Sequence, residues 1–96
     1  MINKLSEIQV SIVIPMLNEE KYIGRCLMSL VDQDWEGLPL EIIVVNGLSK
    51  DRSHEIVEGF KSNFSLLKII ENPRRITPIS LNMGVKASTG EVIIIL

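Results

Sequence analysis

Three short stretches carry most of the polar chemistry of this 96-residue sequence: Pro15-Met16-Leu17-Asn18-Glu19, Asn46-Gly47-Leu48-Ser49-Lys50-Asp51 and Asn72-Pro73-Arg74-Arg75. Together they offer amides, carboxylates, hydroxyls and two guanidinium groups. Amide and carboxylate side chains can recognise a base edge or ribose hydroxyls, and arginine pairs with phosphate through a planar fork. Each stretch alone is weak evidence. Adjacent arginines are more often a solvated basic pair, and Asn46 can simply close a turn with its own side chain. Their convergence is what points to a site. Each follows an apolar run, and if those runs are parallel strands, all three loops open on one edge of one sheet. Open α/β sheets bind ligands in that crevice.

The runs read as buried strands. Residues 10–14 (Val-Ser-Ile-Val-Ile) are short and β-branched, and Pro15, which cannot donate to a ladder, is expected to end them. A helix should follow over 19–32, with Asn18 as N-cap and Glu19 and Glu20 at its positive end. Tyr22, Ile23, Cys26, Leu27, Leu30 and Val31 make its apolar face. Cys26 on that stripe reads as core, and Trp35 as a cover over the helix end. Gly24 costs about 1 kcal/mol relative to alanine in a helix, which suggests close approach to the sheet. Residues 41–45 form the second strand. Gly47 then permits a left-handed backbone, and Ser49 or Asp51 can cap a helix over 52–61 that faces Ile56, Val57 and Phe60 inward. His54 reads as a surface residue, with no second histidine to share a metal. A third strand spans 66–70. Thr77-Pro78 opens a third helix, with Thr77 as N-cap and Pro78 at the first helical position. The fourth strand spans 91–96. This β-α-β-α-β-α-β alternation implies an α/β fold, a Rossmann-like parallel sheet ordered 3-2-1-4 with flanking helices.

Composition bounds the rest. Apolar residues make up 46% of the chain, enough for a real core, and the formal charge is −2 without a basic stripe. That argues against a nucleic-acid partner. One cysteine permits no intrachain disulfide, which fits a cytoplasmic setting. No apolar run approaches the ~20 residues of a membrane span. There is no G-x-G-x-x-G after the first strand and no Walker A sequence. The lone Cys26 and lone His54 fall on different helices, so no nucleophilic pair is readable.

With these segments in place, the sequence resembles the family-2 inverting glycosyltransferases of the GT-A fold. Residues 10–20 look like their strand followed by I-P-x-x-N-E, residues 42–51 like their VVDG-x-S-x-D, and residues 72–84, with Asn82 and Gly84, like their third segment. The run Asn-Pro-Arg-Arg-Ile-Thr-Pro is similar to bacterial exopolysaccharide transferases of the succinoglycan type. The resemblance implies a nucleotide-diphosphate-sugar partner. Pro15, Leu17, Asn18 and Glu19 would line the nucleoside site, with Leu17 where many members carry tyrosine. Asn46 stands where the family usually has an aspartate that contacts the base, and Asp51 closes the same motif. Arg75 and Asn82 would lie toward the sugar diphosphate.

The family's acidic metal motif would follow the fourth strand, and its acceptor site and catalytic base belong to a second half. Residues 1–96 are therefore expected to be the nucleotide-sugar-binding part of a truncated GT-A domain, inactive alone, with no catalytic or metal-binding residue of its own. Mg or Mn is expected only in a full-length relative, which could sit at the inner face of the membrane. The edge formed by 92–96, apolar on both faces, invites a homo-oligomer. The rival reading is a non-catalytic Rossmann-like binding or oligomerisation module. A nucleotidyltransferase is disfavoured by the missing glycine-rich loop.

Overall fold

The four apolar runs become four strands of one parallel sheet, and three helices connect them. In chain order these are β1 (Val10–Met16), α1 (Ile23–Asp32), β2 (Leu40–Asn46), α2 (Ser53–Glu58), β3 (Leu66–Glu71), α3 (Thr77–Ala87) and β4 (Val92–Ile95). The computed structural model describes residues 10–96, and the polar lead-in over 1–9 lies outside them. The strand order is β3-β2-β1-β4, as the alternation predicts. Among the described residues no helix is long and apolar enough to cross a membrane.

Both faces of the sheet are covered, which is why β1 and β2 are apolar at nearly every position. On one face Val10, Ile12, Ile14, Met16, Ile42 and Val44 pack against Ile23, Leu27 and Leu30 of α1 and Val57 of α2. On the other, Val13, Ile43 and Val45 meet Leu81, Met83 and Ala87. Gly84 lets α3 lie directly on the sheet, because a methyl group there would strike Val13 Cγ1. Trp35 packs against the larger core and donates from Nε1 to Leu30 O at 3.0 Å, covering the end of α1 as expected. Cys26 packs at the same core's edge, where burial pushes its thiol pKa up.

Several local expectations are corrected. Pro15 does not end β1, which runs on to Met16 with Pro15 opposite Val45. In a parallel ladder one residue's N–H and C=O point to the same neighbour. Val13 O accepts from Leu96 N, so Pro15, in phase with Val13, faces the β4 side. There β4 pairs only with Val10–Val13, and no ladder donor is lost. Helix α1 begins at Ile23 rather than 19, and a single turn precedes it, in which Glu19 O accepts from Tyr22 N and Ile23 N. Tyr22 stands before that helix and is exposed, not part of its buried face. Gly24 approaches Ile56 of α2 and Phe60, not the sheet. Helix α2 is shorter than expected, and a single 3-10 turn at Lys61–Asn63 follows it. Helix α3 is capped at Ile76, with Thr77 and Pro78 inside its first turn, so Thr77 is not the cap.

Candidate functional site

The three polar loops do open on one edge. They leave the carboxyl ends of β1, β2 and β3, and side-chain bonds stitch them together. Asn18 N donates to Ser49 Oγ at 2.9 Å, and Lys50 N donates to Asn18 Oδ1 at 2.7 Å. Asn18 is thus no helix cap. Its carbonyl is spent on the neighbouring loop, and its backbone is left-handed at φ 52°. Glu19 N donates to Ser53 Oγ at 2.6 Å, and Glu20 N to Asp51 Oδ2 at 3.1 Å. Asp51 Oδ1 also accepts from Ser53 N, which ties the first turn of α2 to the loop before it, but the N-cap position is Arg52, so neither Ser49 nor Asp51 is the cap expected from sequence. Desolvation pushes the Asp51 carboxyl up, but the bonds from Ser53 and Glu20 outweigh it and hold the group below the ordinary aspartate range.

Asn46 is buried, with 2% of its surface exposed. Its Oδ1 accepts from Ser49 N at 3.0 Å and Ser49 Oγ at 2.6 Å, so it does close the turn. Its Nδ2 donates to Glu71 Oε1 at 3.3 Å and lies 3.5 Å from His54 Nδ1. An aspartate here would set a second carboxylate against Glu71, so the amide suits its neighbour. His54 is not a bare surface residue: Glu58 lies 3.4 Å from Nε2 and Glu71 3.5 Å from Nδ1.

Gly47 does not adopt the left-handed backbone. Leu48 does, at φ 58°. Gly47 is needed for space instead, since a Cβ there would lie 3.3 Å from Arg75 Cα and 3.6 Å from Leu17 Cβ. Arg75 is left-handed too, at φ 65°. Each of the three loops therefore holds one non-glycine residue in this costly region, a pattern that collects at functional sites.

Between these loops lies a cavity of about 120 Å³ lined by Pro15, Met16, Leu17, Glu19, Gly47, Arg75, Thr77 and Ser80. Of the residues singled out from sequence, Pro15, Leu17, Glu19 and Arg75 meet there. Asn18, Asn46 and Asp51 shape the walls from behind. Asn82 is exposed on α3 and does not line the cavity. Among the described residues no partner takes up the Arg75 guanidinium. The residues missed from sequence are Ser53 and Ser80, both buried. Asn72, with 0% exposure, stood in a stretch singled out from sequence without a role of its own. The one signal for the two serines was a small polar residue near each loop. No three His, Cys, Asp or Glu side chains among the described residues come together to hold a metal ion. Glu19 is the one carboxylate at the cavity, so these residues do not by themselves fit a metal site. The arrangement can take up an anion at Arg75 and a flat or apolar moiety against Pro15 and Leu17.

Comparison with known proteins shows the family and the fold. Residues 11–96 match the family model described as Glycosyl transferase family 2. A Methanococcus voltae protein, "Dolichyl N-acetyl-alpha-D-glucosaminyl phosphate 3-beta-D-2,3-diacetamido-2,3-dideoxy-beta-D-glucuronosyltransferase", is 36% identical over 88 residues, covering 90% of this chain and 27% of the other. The crystal structure of S. aureus TarS 1–349 superposes with a TM-score of 0.85 at 29% identity, covering 92% of this chain and 26% of that one. TarS has also been solved with UDP and with UDP-GlcNAc. Mannosyltransferase PcManGT from Pyrobaculum calidifontis, in complex with GDP-Man and Mn2+, superposes with a TM-score of 0.78 at 26% identity, covering 88% of this chain and 26% of that one. The chain thus spans about a quarter of the length of these relatives.

Proposed function

The chain belongs to glycosyl transferase family 2, and on that premise we propose that its loop cluster binds the nucleoside-diphosphate part of an activated sugar. The observation that carries the reading is the cavity itself. It gathers the apolar Pro15 and Leu17 and the cationic Arg75 around one space at the carboxyl edge of the sheet. The nucleoside rests against Pro15, Leu17 and Gly47, with Glu19 beside the ribose, and the diphosphate pairs with Arg75. The complexes of TarS with UDP-GlcNAc and of PcManGT with GDP-Man support a nucleotide-sugar ligand. In this reading the described residues supply donor binding to an inverting sugar transfer that builds a polysaccharide or glycan. Asn46 shapes the pocket through Ser49 rather than meeting the base with a free carbonyl.

Calorimetry on the purified chain with UDP, GDP, TDP, UDP-GlcNAc, GDP-Man and inorganic pyrophosphate tests this. One base series should bind, its sugar derivative included, more tightly than pyrophosphate. No binding by any nucleotide, or equal binding by all of them and pyrophosphate, would rule the reading out.

A further inference from the structure

Arg75 occupies a backbone conformation that does not hold itself. A left-handed backbone is costly for a residue other than glycine, and such residues persist where their surroundings over-determine them. Here one residue does most of that work. Asn72 is fully buried. Its Oδ1 accepts from Arg74 N at 3.0 Å, and its backbone O accepts from Arg75 N at 3.1 Å. Its Nδ2 donates to Ile76 O at 3.2 Å and to Ser80 Oγ at 2.9 Å, and its own N donates to Asn46 O at 2.7 Å. These bonds seize the residue before Arg75, Arg75 itself and the residue after it. They anchor all three to the end of β2 and to the first turn of α3. From the other side Gly47 comes close to Arg75 Cα.

We propose that Asn72 is the positioning residue that presents Arg75 to the diphosphate without touching the ligand. The inference rests on the proposed function and extends it: the diphosphate end of the site depends on a buried amide, and the nucleoside end does not. Losing an ion-paired hydrogen bond lowers affinity about tenfold or more. Asn72→Ala and Arg75→Ala should therefore each weaken UDP or GDP binding about tenfold. The corresponding nucleoside should bind as before. The double variant should bind the diphosphate no more weakly than Arg75→Ala alone, because coupled residues are not additive.

The experiment is a double-mutant cycle read by ligand-observed NMR with the nucleotide that the wild-type chain binds and with its nucleoside. Asn72→Ser, too short to reach Ile76 O or Ser80, gives a second variant if Asn72→Ala does not fold, with the same selective loss expected. Equal losses for nucleoside and diphosphate, additive losses in the double variant, or no loss at all would each overturn the proposal. If the wild-type chain binds while folded Asn72 variants keep full diphosphate affinity, only this inference falls. If the wild-type chain binds neither form, the proposed function falls with it.

Discussion

Glu41→Ala is expected to destabilise the fold by about 3 kcal/mol in urea unfolding, at the low end of what breaking a buried ion pair costs. Glu41 has 0% exposure in a strand whose other residues, Asn46 at its end apart, are apolar. Its Oε1 accepts from Ser11 Oγ at 2.7 Å, Thr89 N at 3.0 Å and Thr89 Oγ1 at 3.3 Å. Its Oε2 takes no other hydrogen bond but lies 2.9 Å from Lys68 Nζ. Ser11 Oγ in turn accepts from Gly90 N at 2.8 Å, so the carboxylate pins the turn between α3 and β4 to the centre of the sheet. The Lys68 side chain is 37% exposed and can turn to water in the variant, which limits the loss. Glu41→Gln keeps the acceptor and removes the charge, so it should cost less, about 1–2 kcal/mol.

The pH dependence has a definite sign. Burial pushes the Glu41 carboxyl up, but the bonds from Ser11, Lys68 and Thr89 outweigh it and hold the group below its ordinary value. Its contribution is therefore fully present above the unfolded value of about 4.3 and is lost as pH falls through the lower folded value. Wild-type stability should drop more steeply on acidification below about pH 5 than that of Glu41→Gln. Parallel profiles would show that Glu41 does not carry this linkage.

Arg75→Gly separates stability from binding. Glycine adopts the left-handed backbone freely, so the strain of about 1–2 kcal/mol disappears, against about 0.5–1 kcal/mol of added entropy in the unfolded chain. The variant should unfold at the same denaturant concentration as wild type or slightly higher. It should lose about tenfold or more in diphosphate affinity, because the guanidinium is gone. A variant that binds as well as wild type would show that Arg75 is a solvated loop residue. One that unfolds much earlier would show that the arginine side chain is structural.

The sheet was legible because its signal is local and repeated. Short β-branched runs, separated by helical periodicity, permit little besides a parallel sheet, and the right-handed crossovers then give the order 3-2-1-4. The loop cluster was legible for the same reason, since it follows from where parallel strands end. The caps were not. Asn18 and Thr77 have good capping chemistry in isolation, but the Asn18 side-chain carbonyl is claimed by Lys50, 32 residues away, and the cap of α3 falls one residue earlier, at Ile76. Glu41 stood out from its strand only as a charge, and its meaning lies in partners 30 and 48 residues distant. Gly47 illustrates the same limit. Its small size was required, but by the Arg75 backbone from another loop and not by its own φ.

If the proposed function holds, the carboxyl-edge cavity takes up a nucleoside diphosphate and no other place among the described residues does. One rival location is the cavity of about 170 Å³ beside Trp35, lined by Leu30, Leu38, Leu40 and Phe64 at the opposite ends of the strands. An amide-shift titration of the isotope-labelled chain with UDP and with GDP tests the claim most directly. The account predicts saturable shifts at Leu17, Glu19, Gly47, Arg75 and Thr77 for at least one of the two nucleotides, with Trp35 and Phe64 unmoved. Saturable shifts centred on Trp35 and Phe64, or none anywhere at saturating nucleotide, would contradict it.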